Sequence, residues 1–296
     1  MSEKFKILIA YDGSHFAEAA LDDLKSAGLF DENVEAIVFS VAEVWLPPMN
    51  DSEKPQFMTD DLKKSYEENL GELNKTKASV SKAADRLKKM FPGWNISFDA
   101  TYGSAAWEIL AKADEIKADL IVVGARGETN LDRILLGSVS QRVVTEAKCS
   151  VRVARGKIQV DDAPTRIIFG YDGSHGADEA VKKITGRNWR KGSEARVVIV
   201  EDNALIRSSL NIEEEKINQI GAEIVKKLNF ENLSAELIVR EGNPKQILVE
   251  EAENRGADCI FVGAAKFDDF LTKYLLGSVS TAIVTRAHCS VEIVRP

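Results

Sequence analysis

The pentapeptide YDGSH occurs twice, at Tyr11–His15 and Tyr171–His175. LLGSVS also occurs twice, at Leu135–Ser140 and Leu275–Ser280, and CSV follows each copy, at Cys149–Val151 and Cys289–Val291. Three markers in one order, offset by 160, 140 and 140 residues, mean that one structural unit is used twice. A chain of 296 residues can bury two cores of ordinary size. The two halves therefore share one plan, and the first holds extra residues. Val41 to Gly103 spans 62 positions where Val200 to Gly242 spans 42, which places the insertion after the second strand and in the helix that follows.

Each half reads as five strands alternating with helices. In the first, the apolar runs are Phe5–Ala10, Ala36–Val41, Ile96–Ala100, Leu120–Val123 and Val151–Ala154. In the second they are Ile167–Gly170, Arg196–Val200, Ala235–Val239, Cys259–Val262 and Val291–Val294. Several are unbroken Ile, Val, Leu and Phe, as strands buried on both faces of a parallel sheet require. Ala17, Ala20, Leu21 and Leu24 recur at helical spacing with Gly28 as a stop, and Asn243-Pro244 reads as an N-cap and first turn closed by Gly256. A long helix after Thr59 carries the stripe Tyr66, Leu70, Leu73, Lys77, Val80, Ala84, Leu87, Phe91, expected to lie on the sheet, with an oligomer seam as the alternative. The predicted fold class is α/β, two doubly wound five-stranded parallel-sheet (Rossmann-like) domains in tandem. The expected boundaries are residues 1–156, a polar linker at 157–165, and residues 166–296.

Charge excludes one class of partner. Residues 1–156 carry 20 Lys and Arg against 25 Asp and Glu, and residues 157–296 carry 19 against 22. Neither half has the basic excess that binding to a nucleic-acid backbone demands. Three cysteines without CxxC spacing argue against a disulfide framework and a zinc site, and suit a cytoplasmic protein. The opening MSEKFKILIAYDGS reads as a first strand rather than a signal peptide, and no apolar run approaches the roughly 18 residues that a membrane span needs.

The stretch with chemical content is Gly124-Ala125-Arg126-Gly127, then nine residues, then Gly137-Ser138-Val139-Ser140. It follows a buried strand and opens a helix. Glycines admit an anion close to the backbone, and free N–H groups at a helix start point at it with the helix dipole behind them. Ser138 and Ser140 are candidate hydroxyl donors. Ligands of open α/β sheets also bind beyond the carboxyl ends of the strands, where the strand order reverses.

At these residues the chain resembles the universal stress protein family over nearly all of both halves. The family's ATP-binding members carry G-x2-G-x9-G-S/T, matched by Gly124, Gly127, Gly137 and Ser138. They also place an aspartate after the first strand, matched by Asp12 in Ala10-Tyr11-Asp12, and an apolar residue at the end of the second, matched by Val41. The resemblance implies ATP with Mg²⁺, adenine near Asp12 and Val41, and phosphates over Gly127, Gly137, Ser138, Val139 and Ser140, with Arg126 in reach. It implies a nucleotide-binding protein of stress response or signalling that works through protein partners, at most a slow ATPase. Loop hydroxyls, Ser138 and Ser140 here, stay open as phosphate acceptors. A slow hydrolase or phosphotransfer enzyme, and a scaffold without nucleotide, are the alternatives. No catalytic constellation is visible, and His15, His175 and His288 read as solvated.

The second half departs from the motif. Its loop reads Gly263-Ala264-Ala265-Lys266, with lysine for the second glycine and ten residues rather than nine before Gly277. It is expected to be a degenerate site, with Lys266 in or beside the pocket. The insertion Trp45–Met49, with Pro55, Phe57 and Met58, reads as a lid over the adenine or a partner contact. Family domains commonly pair their fifth strands antiparallel, which implies an intramolecular pseudo-dimer here and leaves a further homodimer open. Arg152 and Glu292 occupy equivalent positions with opposite charge, so such a pair sets them opposite each other.

Overall fold

The computed structural model describes residues 4–46, 59–125, 136–155, 163–201, 214–229, 232–264 and 276–296. The first half contributes β1 (Phe5–Ala10), α1 (His15–Asp23) with a 3-10 turn at Leu24–Ser26, β2 (Val34–Ala42), α2 (Asp60–Met90), β3 (Asn95–Tyr102), α3 (Ala105–Ile116), β4 (Leu120–Gly124), α4 (Ser138–Glu146) and β5 (Ser150–Ala154). The second contributes β6 (Arg166–Gly170), α5 (His175–Thr185), β7 (Ser193–Glu201), α6 (Glu214–Leu228), β8 (Leu233–Glu241), α7 (Pro244–Arg255), β9 (Cys259–Gly263), α8 (Ser278–Arg286) and β10 (Ser290–Val294). All ten strands lie on the apolar runs read from the sequence, longer by up to three residues at an end. Among the described residues, no helix is long and apolar enough to cross a membrane.

The strands form one ten-stranded sheet in the order β3-β2-β1-β4-β5-β10-β9-β6-β7-β8. Within each half every pairing is parallel, and the order reverses between β1 and β4 and again between β6 and β9. The two halves join where β5 runs antiparallel to β10, with Glu292 across from Arg152.

Strand alternation gives the two faces of this joint different chemistry. Val151, Val153, Val291 and Ile293 face α3, α4, α7 and α8, where one apolar core runs unbroken across both halves. Arg152 and Glu292 point to the other face, where two separate cores lie, one under α1 and α2 and one under α5 and α6. The sequence sets the two opposite each other as a cross-strand pair, taken by itself worth about 0.2–1 kcal/mol. The structure corrects this, because both side chains are wholly buried and join Asp23 and Arg187.

The insertion is largely helix, since α2 has 31 residues where α6 has 15. Thr59 caps α2 through the Leu62 N–H, as expected. Leu73, Val80, Ala84 and Leu87 of the stripe are buried against the sheet, while Leu70 and Lys77 are exposed, so the buried stripe is narrower than the heptad reading. Asn243 caps α7 ahead of Pro244, and Gly256 closes it in the left-handed region with φ 58°.

Candidate functional site

YDGSH builds the same turn in both halves. Asp12 accepts a hydrogen bond from the Ser14 N–H at 3.0 Å, Gly13 takes φ 82°, and Ser14 Oγ caps α1 at the Ala17 N–H. Asp172, Gly173 and Ser174 repeat each step. The Tyr11 hydroxyl donates to Glu18, and that of Tyr171 to Asp178. Burial, and then the carboxylate partner, push each phenol up to about 12. The motif is therefore first a helix-starting turn. Its aspartate keeps one carboxylate oxygen for the turn and stays exposed at the carboxyl edge of the sheet.

The first motif glycine has a packing role. A Cβ on Gly124 would stand 2.8 Å from the Phe16 carbonyl oxygen, so its lack of a side chain lets α1 cross the end of β4. Gly263 meets the backbone of Gly176 and Ala177 still more closely. Ser140 also differs from expectation. Its hydroxyl is buried and donates to the Gly124 carbonyl at 2.7 Å, tying α4 to β4 instead of facing a ligand. Ser280 makes the equivalent bond to Gly263. Ser138 is exposed, so of the two it is the accessible hydroxyl.

The start of α4 carries the anion-binding geometry. Gly137 is the N-cap and supplies no side-chain hydrogen bond, and the first turn holds no acidic residue. The N–H groups of Ser138, Val139 and Ser140 thus open the helix without a side-chain cap, unlike those of α1. Gly137 is held by its own N–H on the Ala125 carbonyl at 2.9 Å. Ala10 and Val41 at the carboxyl ends of β1 and β2, and Leu136 and Val139 at the start of α4, are each partly buried against the same core. The structure thus brings Ala10, Asp12, Gly124 and Gly137–Ser140 to the reversal point between β1 and β4, with Val41 one strand away on β2, whereas the Tyr11 side chain turns to the opposite face and is buried under α1 and α2 rather than facing a ligand. Arg126, Gly127 and Lys266 lie outside the described residues. So does most of the expected lid. Of that lid, Leu46 is buried on Ala42 and Leu73, and Trp45 is 69% exposed with its carbonyl on the Asn69 amide.

A model of the universal stress protein family matches this chain twice, over residues 5–155 and 164–295. The chain belongs to the universal stress protein family. A universal stress protein of Methanocaldococcus jannaschii is 37% identical over 155 residues, which cover 51% of this chain and 81% of that one. A putative universal stress protein of Staphylococcus epidermidis is 31% identical over 166 residues, covering 53% and 87%. The whole two-part architecture also has solved counterparts. A universal stress protein of Archaeoglobus fulgidus aligns at a TM-score of 0.66 with 20% identity, covering 98% of both chains. A putative one of Pseudomonas aeruginosa aligns at 0.62 with 14% identity, covering 98% and 93%.

Further groups with possible chemistry in this universal stress protein are engaged in structure. Among the described residues, no group of three or more His, Cys, Asp or Glu could hold a metal ion. His15 begins α1 with its ring against Phe16, and His288 Nε2 lies 2.9 Å from Glu253, a partner that the sequence reading missed. The three cysteines are free thiols. Burial pushes Cys149 up to about 11 and Cys289 up to about 12, and raises Cys259 as well, away from the thiolate that nucleophilic chemistry needs.

Proposed function

We propose that this universal stress protein binds ATP with Mg²⁺ in its first half and acts in stress response or signalling through protein partners in the cytoplasm. The observation that carries this reading is the first turn of α4. Its N–H groups have no capping side chain, its first turn holds no acidic residue, and it sits at the sheet reversal near apolar residues of β1 and β2. A helix start of this kind favours phosphate oxygens. Ala10, Val41 and Val139 offer the apolar surface that a purine ring needs, and Asp12 adds an acceptor in reach of its amino edge. Gly277 begins α8 in the same uncapped way. Restriction to the first half therefore rests on sequence, Gly127 in the first loop against Lys266 in the second.

Calorimetric titration of the whole chain with ATP and Mg²⁺ tests the reading. One site per chain is the expected result. Two equal sites would reject the restriction to the first half, and no heat of binding would leave the scaffold alternative. Phosphate release at the rate of ATP in buffer is expected, and sustained turnover would make the protein an enzyme.

A further inference from the structure

The joint between the halves is built from unlike parts at equivalent positions. Arg152 of β5 donates through Nη1 to Glu292 Oε2 at 3.3 Å and through Nη2 to Asp23 Oδ1 at 3.1 Å. Arg187, just beyond α5, pairs with the other oxygen of Glu292. Asp23, Arg152, Glu292 and Arg187 thus form one buried chain of alternating charge across the sheet. The positions 160 residues from Asp23 and Arg187 hold Lys183 and Ala27, so neither partner has a like residue in the other half.

The turn after α1 meets the turn after α5 in the same unlike way. Gly28 takes φ +62°, and a Cβ placed on it would lie 2.5 Å from the Trp189 ring. The Asn188 N–H donates to the Gly28 carbonyl at 2.8 Å, and Arg187 Nη1 donates to the Ala27 carbonyl at 2.6 Å. At the 160-residue offset of YDGSH, Gly28 corresponds to Asn188 and Trp189 to Leu29, and at the 159-residue offset of β2 and β7 neither corresponds to a glycine or a tryptophan. A bare backbone faces an indole on one side, and the second half has no bare backbone at that place.

We propose that this joint is keyed: the docking face of the first half accepts that of the second and rejects a copy of itself. The β5–β10 register is centred on Arg152 and Glu292, so the same arrangement between two first halves sets Arg152 against Arg152. Each would be buried with Asp23 alone, and the space filled by Trp189 would face Leu29 instead. Between two second halves, Glu292 meets Glu292, and Trp189 is driven into the Asn188 side chain where Gly28 now leaves room. Like charges opposed in a buried strand pair, and a Cβ at ring-contact distance, both penalise self-pairing. Only the mixed pair satisfies charge and shape together. The partner that this surface fits is the complementary half of the same chain.

The test exchanges the key within the full-length chain. Gly28→Asn gives the first half the residue of the second, and asparagine tolerates the left-handed backbone. It should raise amide exchange in β5 and β10 about tenfold while β1 and β6 stay protected. By light scattering the variant should remain a single chain, since its opened faces do not pair like with like. Adding Trp189→Leu, the residue of the first half, should return the exchange of β5 and β10 towards that of the natural chain. The proposal is overturned by Gly28→Asn with unchanged exchange at the joint, by failure of Trp189→Leu to restore it, or by a two-chain species whose cross-links join β5 to β5 or β10 to β10. If Gly28→Asn exposes β1 and β6 too, the double variant decides: recovery supports the key and continued exposure rejects it.

Discussion

Arg152 and Glu292 face each other at the centre of the β5–β10 pair, both wholly removed from solvent, with Asp23 and Arg187 completing their charges. Breaking such a set costs more than the set itself contributes, because a buried charge loses its partner. Glu292→Gln leaves Arg187 without its carboxylate and should lower stability by about 3–5 kcal/mol in chemical denaturation. Removing Arg152 and Glu292 together, as Arg152→Met with Glu292→Leu, should cost less than the two single changes added. Additive losses would show that the pair does not act as a unit.

The first turn of α4 offers a substitution with opposite effects on folding and binding. Ser138→Asp puts a carboxylate on exposed, uncapped N–H groups and should stabilise the helix by about 0.3–1 kcal/mol. The same charge should repel phosphate and weaken ATP by about tenfold or more. A higher melting temperature with unchanged ATP affinity would move the phosphates away from this turn.

Gly124→Ala separates packing from ligand contact. Its methyl would stand 2.8 Å from the Phe16 carbonyl oxygen, which is backbone and cannot swing aside. A loss of about 1–3 kcal/mol is expected with or without nucleotide. Undiminished stability in the free protein would contradict this role.

Tyr11 and Tyr171 should ionise late. Their phenols titrate near 12 in the folded protein against an ordinary 10.0, first from burial and then from Glu18 and Asp178. The native state keeps protons that the unfolded chain gives up, so their contribution is complete below pH 10 and falls as pH rises towards 12. Phenolate absorbance should show a component that appears only towards pH 12, and Tyr11→Phe should reduce it. Five tyrosines titrating together near the ordinary value would refute it.

The sequence by itself determined the repeat and the ten strands. These depend on local information: apolar runs mark strands buried on both faces, and a glycine turn followed by a capping serine starts a helix wherever it occurs. Even the opposition of Arg152 and Glu292 was legible, because a repeat exposes unlike residues at like positions. Asp23 against Lys183 and Arg187 against Ala27 carried the same signal. Only the tertiary structure decided what those residues do. Burial turned a strand pair into a desolvated network with Asp23 and Arg187, elements far apart in the chain. Approach of α1 gave Gly124 a packing role that its motif spacing does not reveal, and closure of α4 on β4 spent the Ser140 hydroxyl on a carbonyl. Gly28 and Trp189 lie 161 positions apart, and their contact exists only once two halves are docked. Local pattern specifies elements, whereas burial and close approach arise from elements distant in sequence, and those set the energy of a charge and the need for a glycine.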